Sequence, residues 1–191
     1  MQYLVISGEP KPDGLYHAVM QEIIRGAGDG GADVQVLTLD GIEGCRACND
    51  GWGICRDESN CAFGKDGFDE LRHAVSQADA WCLITPVDAG QPVAVTMHFL
   101  ERLRRCAFGQ LGSLVNKPLL VVSFPEGADN SLLTCLEHID RFCRSTGTVI
   151  FDYLCVNTWN SDYMKVSAYA AGKVMAFGRK VGEAGTRRRP R

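Results

Sequence analysis

Short apolar runs alternate along the chain with longer segments in which apolar residues recur every three or four positions. The first run, QYLVIS, consists largely of strand-forming residues and ends at Gly8, which is typical of a buried strand. The longer segments have the period of an amphipathic helix. The pattern predicts five strands, each followed by a helix before the next strand begins, at residues 2–7, 33–39, 80–86, 117–124 and 148–156.

The same period predicts which side of a helix faces the core. In the helix that begins near Val93, apolar residues at 97, 100 and 103 are expected to point inward, and the charged residues between them to reach water: Glu101, Arg102, Arg104 and Arg105. The core face of the last helix is expected to consist of Tyr163, Val166, Ala170, Val174 and Phe177.

Five strands alternating with five helices predict an α/β fold, in which a parallel sheet is covered by helices on both faces. No repeat or linker interrupts the pattern, so residues 1–185 are expected to form a single domain. Residues 40–65 are expected to form an irregular, cysteine-rich excursion near the carboxyl edge of the sheet. The basic end, TRRRPR at 186–191, is expected to be a solvated, disordered tail.

Composition and charge narrow the class of protein. The 191 residues are 46% hydrophobic and carry a net charge of -3, which gives no reason to expect a nucleic-acid partner. No apolar run approaches the roughly 20 residues of a membrane span, and the first ten residues lack the features of a signal peptide. We therefore expect a cytoplasmic protein with no membrane partner. Nine cysteines, an odd number, argue against a disulfide framework, and five lie in apolar stretches as expected core residues: Cys82, Cys106, Cys135, Cys143 and Cys155.

The other four cysteines lie within seventeen residues, with the spacing Cys45-x2-Cys48-x6-Cys55-x5-Cys61. Four thiolates suit an iron-sulfur cluster or a structural zinc ion, because both need soft, deprotonated sulfur ligands. The remaining alternative is a loop of four free thiols. Trp52, in the turn between the second and third cysteines, could shield a cluster, anchor the loop or lie in a subunit interface.

Three loops are expected at the carboxyl ends of the strands, where open parallel sheets bind ligands. They are SGEPKPDGLY (7–16), TPVDAGQPV (85–93) and SFPEGADNS (123–131). The first joins a strand to a helix through glycines and prolines, as in loops that hold a phosphate at a helix N-terminus.

Taken together, these segments resemble the NADPH-dependent FMN reductases, and most closely their iron-sulfur flavoprotein branch. The resemblance covers about residues 1–155 and rests on the order of three motifs: Ser-Gly-x-Pro-Lys after the first strand, a Cys-x-x-Cys segment after the second, and TPVDAGQPVAVTMHFLERL after the third. It implies a flavodoxin-like fold with strand order 2-1-3-4-5.

The resemblance also implies the cofactors and the residues that bind them. FMN would lie against three groups of residues: Ser7, Gly8, Glu9, Lys11, Asp13, Gly14, Leu15 and Tyr16; Pro86, Val87, Asp88, Ala89 and Gly90; and Phe124, Pro125, Glu126 and Gly127. A 4Fe-4S cluster would be bound by Cys45, Cys48, Cys55 and Cys61, with zinc as the alternative metal.

Several positions depart from the pattern of the family. Glu9 stands where the family has serine, and Lys11 where it has arginine. Leu15 and Tyr16 replace small polar donors, and Asp88 replaces an aromatic residue. Residues 9–16 thus carry a net charge of -1, whereas a phosphate dianion prefers a positive loop. The six residues between the second and third cysteines are also more than the family usually has.

The expected function is an FMN-dependent oxidoreductase that takes electrons from NAD(P)H. The flavin would pass them to a quinone, an acceptor protein or an iron-sulfur cluster, so the partner is a small-molecule or protein electron acceptor. Because a neighbouring subunit often completes the flavin pocket in this fold, a homodimer or tetramer is expected. The alternative is a flavodoxin-like protein without flavin that acts as a metal-binding or interaction module.

Overall fold

The structure, a computed structural model, describes residues 1–9, 11–49, 51–108, 113–125 and 132–177. Glu126, Gly127 and the basic tail lie outside the described residues. Within them the strands are β1 (Gln2–Ser7), β2 (Asp33–Thr38), β3 (Ala80–Asp88), β4 (Gln91–Pro92), β5 (Pro118–Pro125) and β6 (Val149–Cys155). The helices are α1 (Gly14–Asp29), α2 (Phe68–Gln77), α3 (Ala94–Ala107), α4 (Leu132–Thr146) and α5 (Ser161–Ala176), with a 3₁₀ helix at Gly64–Asp66.

Five strands form a parallel sheet in the order β2-β1-β3-β5-β6. The predicted fold and strand order are therefore confirmed. The predicted number of strands was wrong, because β4 pairs antiparallel with the end of β3 and adds a sixth. The turn between them consists of Ala89 and Gly90, whose φ angles of 46° and 81° are both positive, as a two-residue hairpin turn requires.

Each face of the sheet is covered by helices, because the strand side chains alternate between two cores. Along β1, Leu4 and Ile6 belong to the core formed with α2, α3 and α4. Tyr3 and Val5 belong to the core formed with α1 and α5. The loops that follow β1, β3 and β5 lie at the carboxyl edge of the sheet, where these strands end.

Helix α5 buries the face opposite to the predicted one. Val166 and Phe177 keep 68% and 65% of their surface exposed, and the residues that face the core are Ala168, Ala171, Gly172, Met175 and Ala176. The reason is a very close approach to α1. A Cβ added at Gly26 would lie 2.1 Å from the Tyr169 carbonyl oxygen, and only small residues permit such an approach.

The cysteines predicted to lie in the core are buried, except for Cys155, which is half-buried. All nine cysteines are free thiols. In the part of the chain that the structure describes, no helix is both long enough and apolar enough to cross a bilayer.

Candidate functional site

The loop after β1 folds back on its own polar groups at the carboxyl edge of the sheet. The Ser7 hydroxyl donates to the Glu9 carbonyl (2.8 Å) and accepts from the Glu9 N–H (3.2 Å). Beside it, the Tyr16 hydroxyl lies 3.0 Å from Ser7 Oγ and donates to the Ile84 carbonyl at 2.8 Å. Burial raises the pKa of Tyr16, so this hydroxyl stays neutral and remains a donor. Tyr16 is thus part of the floor of the loop, which differs from the small donor that the family pattern has at this position.

The N-terminus of α1 opens toward this loop. Asp13 precedes the helix, its side chain makes no capping hydrogen bond, and the first turn contains no acidic residue. The first N–H groups of a helix have no partner within the helix, and here no side chain of the described loop caps them. Such a terminus favours an anion, as the binding of a phosphate requires. Lys11, two residues before Asp13, is exposed, and its positive charge is opposite to that of a phosphate.

Glu9 opposes an anion at the same place. Its Oε1 atom accepts the N–H of Lys11 at 3.2 Å, so a carboxylate already holds one amide of the loop. A phosphate that used this amide would have to displace Glu9 or turn it away.

A close contact under Gly8 joins this loop to β3 and α3. Gly8 N–H donates to the Ile84 carbonyl at 2.7 Å. A Cβ at Gly8 would lie 2.5 Å from Thr96 Oγ1, which in turn lies 3.0 Å from Thr85 Oγ1. Glycine is therefore required here for packing, and Thr96 is a residue of this site that the sequence pattern did not indicate.

The other two predicted segments lie beside the first. Pro86 and Val87 pair across the sheet with Phe124 and Pro125, and the Phe124 ring packs on the Tyr16 ring with centroids 4.7 Å apart. Asp88, Ala89 and Gly90 form the end of the β3–β4 hairpin, with Asp88 and Ala89 exposed and Gly90 buried. The structure thus brings together the described parts of all three predicted FMN-binding segments, and the individual contacts to FMN stay predictions.

All four clustered cysteines line one cavity between α3 and residues 43–63, which we call the cysteine segment. Each is half-buried. The segment contains neither helix nor strand in its described part, and Ala47 and Asn49 adopt positive φ angles of 45° and 49° on either side of Cys48. Non-glycine residues rarely adopt this conformation without a local requirement.

The arrangement of these thiols does not suit a single metal ion. Among the described residues, no three Cys, His, Asp or Glu side chains gather closely enough to hold one ion. A zinc ion needs four donors at about 2.0–2.3 Å. The thiolates around an iron-sulfur cluster bind different iron atoms and therefore stand further apart. Four soft sulfur donors in one cavity have the chemistry that a cluster needs, but in this structure they do not converge on a single ion.

Arg102 lies inside this site, although the periodicity placed it in water. It is 3% exposed, and its guanidinium binds the Asp66 carboxylate through two hydrogen bonds of 2.5 and 3.1 Å. It also lies 4.2 Å from the centre of the Phe68 ring. Burial alone would raise the pKa of Asp66, but the hydrogen bonds from Arg102 and from the Glu43 N–H hold this pKa below its usual range. The pair is therefore charged, and it is satisfied on both sides.

Arg105, one turn further along α3, is the second residue that sequence reasoning missed. It donates to the Gly51 carbonyl at 2.6 Å and lies over the Trp52 ring, 5.3 Å from its centroid. Trp52 also packs on Phe108, with ring centroids 5.2 Å apart. Of the three roles considered for Trp52, anchoring the loop is the one that these contacts support.

Helix α3 borders both the loop after β1 and the cysteine cavity. Its first turn supplies Thr96, which packs under the loop at Gly8, and Arg102 follows six residues later at the cysteines. Six residues span about 9 Å along a helix axis. Part of one helix therefore links the loop after β1, at residues 7–16, which is predicted to bind FMN, to the cysteine cavity.

A family model described as NADPH-dependent FMN reductase matches residues 1–160. The chain belongs to this family. Membership confirms the resemblance found in the sequence and the predicted class of oxidoreductase. The match includes all three segments predicted to bind FMN and all four clustered cysteines of this FMN reductase family member.

Individual relatives agree with the family. An iron-sulfur flavoprotein of Methanocaldococcus jannaschii is 26% identical over 145 residues, which are 74% of this chain and 71% of that protein. This similarity matches the branch that the cysteine motif indicated. Among solved structures, a flavone reductase superposes with a TM-score of 0.68 at 16% identity. The superposition covers 92% of this chain but only 62% of the flavone reductase. A flavodoxin from the domain Archaea gives 0.59 at 12% identity, covering 92% of this chain and 96% of that one, which supports the flavodoxin-like fold.

Proposed function

We propose that this family member is an FMN-dependent oxidoreductase that takes electrons from NADPH and passes them through a 4Fe-4S cluster at Cys45, Cys48, Cys55 and Cys61. One observation carries the cluster in this proposal: all four cysteines line a single cavity beside α3. Membership of the family supports the parts of the proposal that concern FMN and NADPH.

The residues around the flavin loop have definite tasks in this proposal. The N–H groups at the start of α1 and the Lys11 ammonium would hold the phosphate of FMN, because both favour an anion. Gly8 leaves room for its neighbours at the carboxyl edge, and the neutral Tyr16 hydroxyl fixes the loop to β3. The chemistry supplied by bound FMN is acceptance of a hydride from NADPH, which leaves as NADP⁺, and onward transfer of the two electrons.

The residues around the cysteines hold the second group. The chemistry supplied by a bound cluster is transfer of one electron at a time. The cavity measures about 30 Å³, which is room for only a few water molecules, so the middle of the cysteine segment must move outward to admit a cluster. Gly51 and Gly53 lie in that middle part, between the second and third cysteines.

The acceptor and the assembly belong to the same proposal. A quinone or an acceptor protein would take the electrons, and a homodimer or tetramer would complete the flavin pocket. The proposed location is the cytoplasm, where thiolate ligands stay reduced.

A second candidate is the flavodoxin-like module without flavin. The contact between Glu9 Oε1 and the Lys11 N–H favours it, because the carboxylate takes a donor that a phosphate needs. The net charge of -1 over residues 9–16 acts in the same direction.

Anaerobic purification tests the proposal through metal content and colour. We expect a brown protein that contains iron, acid-labile sulfide and FMN, since the four thiolates would bind the iron and sulfide as a cluster and the loops at the carboxyl edge would bind FMN. Cys48→Ser should lose at least nine tenths of the iron and sulfide and keep the FMN. Cys155→Ser, a half-buried cysteine outside the cavity, is the matched control and should keep both groups.

The other outcomes separate the candidates. FMN without iron, even after anaerobic reconstitution with iron and sulfide, would leave a flavoenzyme with four free thiols. Iron without FMN, or neither group, would favour the module.

A further inference from the structure

We propose that Arg102 is a positioning residue of the cysteine site, which closes the cysteine segment onto α3 and raises the reduction potential of the cluster through its charge at Cys61. The second half of this inference rests on the proposed cluster, whereas the first half concerns the chain alone.

The partners of Arg102 lie at both ends of the cysteine segment. At the beginning, Nη1 donates to the Glu43 carbonyl at 3.1 Å. At the end, Nη2 donates to the Phe63 carbonyl at 2.8 Å, and both nitrogens bind Asp66. Asp66 completes the link, because its Oδ2 also accepts the Glu43 N–H at 3.0 Å. One ion pair, in which Arg102 is buried and Asp66 half-buried, therefore joins the two ends of the segment to each other and to α3.

This closure fixes both ends of the loop that carries the cysteines, and the contacts of Arg105 with Gly51 and Trp52 hold its middle separately. Burying a guanidinium is unfavourable unless its donors find acceptors, and here the two terminal nitrogens donate to four groups: the Glu43 and Phe63 carbonyls, the Asp66 carboxylate and Cys61 Sγ. Deleting one member of such a pair leaves a buried charge without a partner, which is strongly destabilising locally. The closure of the segment ends should therefore depend on Arg102 far more than on Arg104, which lines the groove between α3 and α4.

The same guanidinium meets one of the predicted ligands. Nη2 lies 3.4 Å from Cys61 Sγ, which is within hydrogen-bonding range for sulfur. Hydrogen bonds to the sulfurs and net charge set the potential of an iron-sulfur cluster. The positive charge of Arg102 would favour the reduced form of a bound cluster, because uptake of one electron from a reductant would make the cluster more negative without forming or breaking a bond. Asp66, which carries the opposite charge beside Arg102, must disfavour the reduced form.

Hydrogen exchange of the protein as purified tests the closure. In Arg102→Gln we expect amides of the cysteine segment to exchange at least tenfold faster than in the wild type, with little change in β1, β3 and β5. Arg104→Gln is the matched control, since it removes the same charge from the same helix at a residue that lines the groove between α3 and α4. Should Arg102→Gln fail to fold, Asp66→Asn tests the same link from its more accessible side. Exchange that is equal in these variants and the control would overturn the closure.

Reduction potentials test the charge, because a purely structural role would move both variants in the same direction. Titrated with dithionite, Arg102→Gln should shift to a lower potential and Asp66→Asn to a higher one, each by about tenfold in the one-electron equilibrium, or 59 mV. Arg102→Lys, which keeps the charge, should have a reduction potential close to that of the wild type. Its amides in the cysteine segment should still exchange faster than those of the wild type. Shifts of the same sign would overturn the electrostatic role. If the wild type takes up no iron after reconstitution, the cluster and the effect on its potential are both refuted, and the exchange experiment still decides the closure.

Discussion

A Glu9→Ser variant is expected to bind FMN about five- to a hundredfold more tightly than the wild-type protein. In the structure the Glu9 carboxylate accepts the Lys11 N–H at 3.2 Å, at the loop that should hold the phosphate. Serine removes a charge that repels the phosphate, frees this N–H and restores a hydroxyl donor. A charged contact at a partly buried site is commonly worth about 1–3 kcal/mol, which gives this range of affinity.

Flavin fluorescence at fixed salt measures the effect in apoprotein titrated with FMN. Lys11→Ala should weaken binding in the same assay, because it removes the opposite charge. Asp33→Ser is the matched control: it deletes a carboxylate at the start of β2, on the edge of the sheet away from the loop, and should change little. Tight binding by the wild type with no gain in Glu9→Ser would show that Glu9 turns away from the phosphate. No binding by any of the variants would refute the flavin site.

Gly26→Ala is expected to lower the free energy of unfolding by about 3 kcal/mol, although alanine is the better helix former. A Cβ at Gly26 would lie 2.1 Å from the Tyr169 carbonyl oxygen in α5. Neither backbone can move without parting the two helices, so the change overpacks a core that has no free volume. Urea unfolding followed by circular dichroism measures the loss.

Gly28→Ala provides the control on the same helix. Nothing lies within 4 Å of the added Cβ, and the residue is exposed. Alanine should therefore raise the stability by about 0.5–1 kcal/mol through its helix propensity. Equal effects at the two positions would contradict the close packing of α1 on α5.

The sheet could be predicted because each of its five parallel strands is a short apolar run bounded by turn residues. The buried face of α5 could not be predicted from the sequence. Apolar residues occur on both sides of this helix, and periodicity does not reveal that α1 approaches through Gly26, which selects the side with alanine and glycine. The two-residue strand β4 was missed for a different reason, since its two residues are too short a run to show any alternation.

The two arginines show why the site was harder to predict than the fold. Arg102 lies on the same helical stripe as Phe99 and Cys106, three residues before it and four after it, and both of these are buried. A charge on a buried stripe is a signal, but its partners Glu43 and Asp66 are distant in sequence and become neighbours only through the fold. For the cysteines, the spacing identified the set but not the shared cavity.

The contact between α1 and α5 also constrains how the protein is made. One helix belongs to the first crossover and the other ends the described chain, so the core between them cannot close until almost all of the chain has left the ribosome. Until then the side of α1 that meets α5, which includes Ile23, Gly26 and Ala27, remains open to water and to other chains. Contacts of this long range slow folding and expose apolar surface to aggregation. A nascent chain stalled before residue 161 should therefore be bound by chaperones, whereas one released after α5 should not.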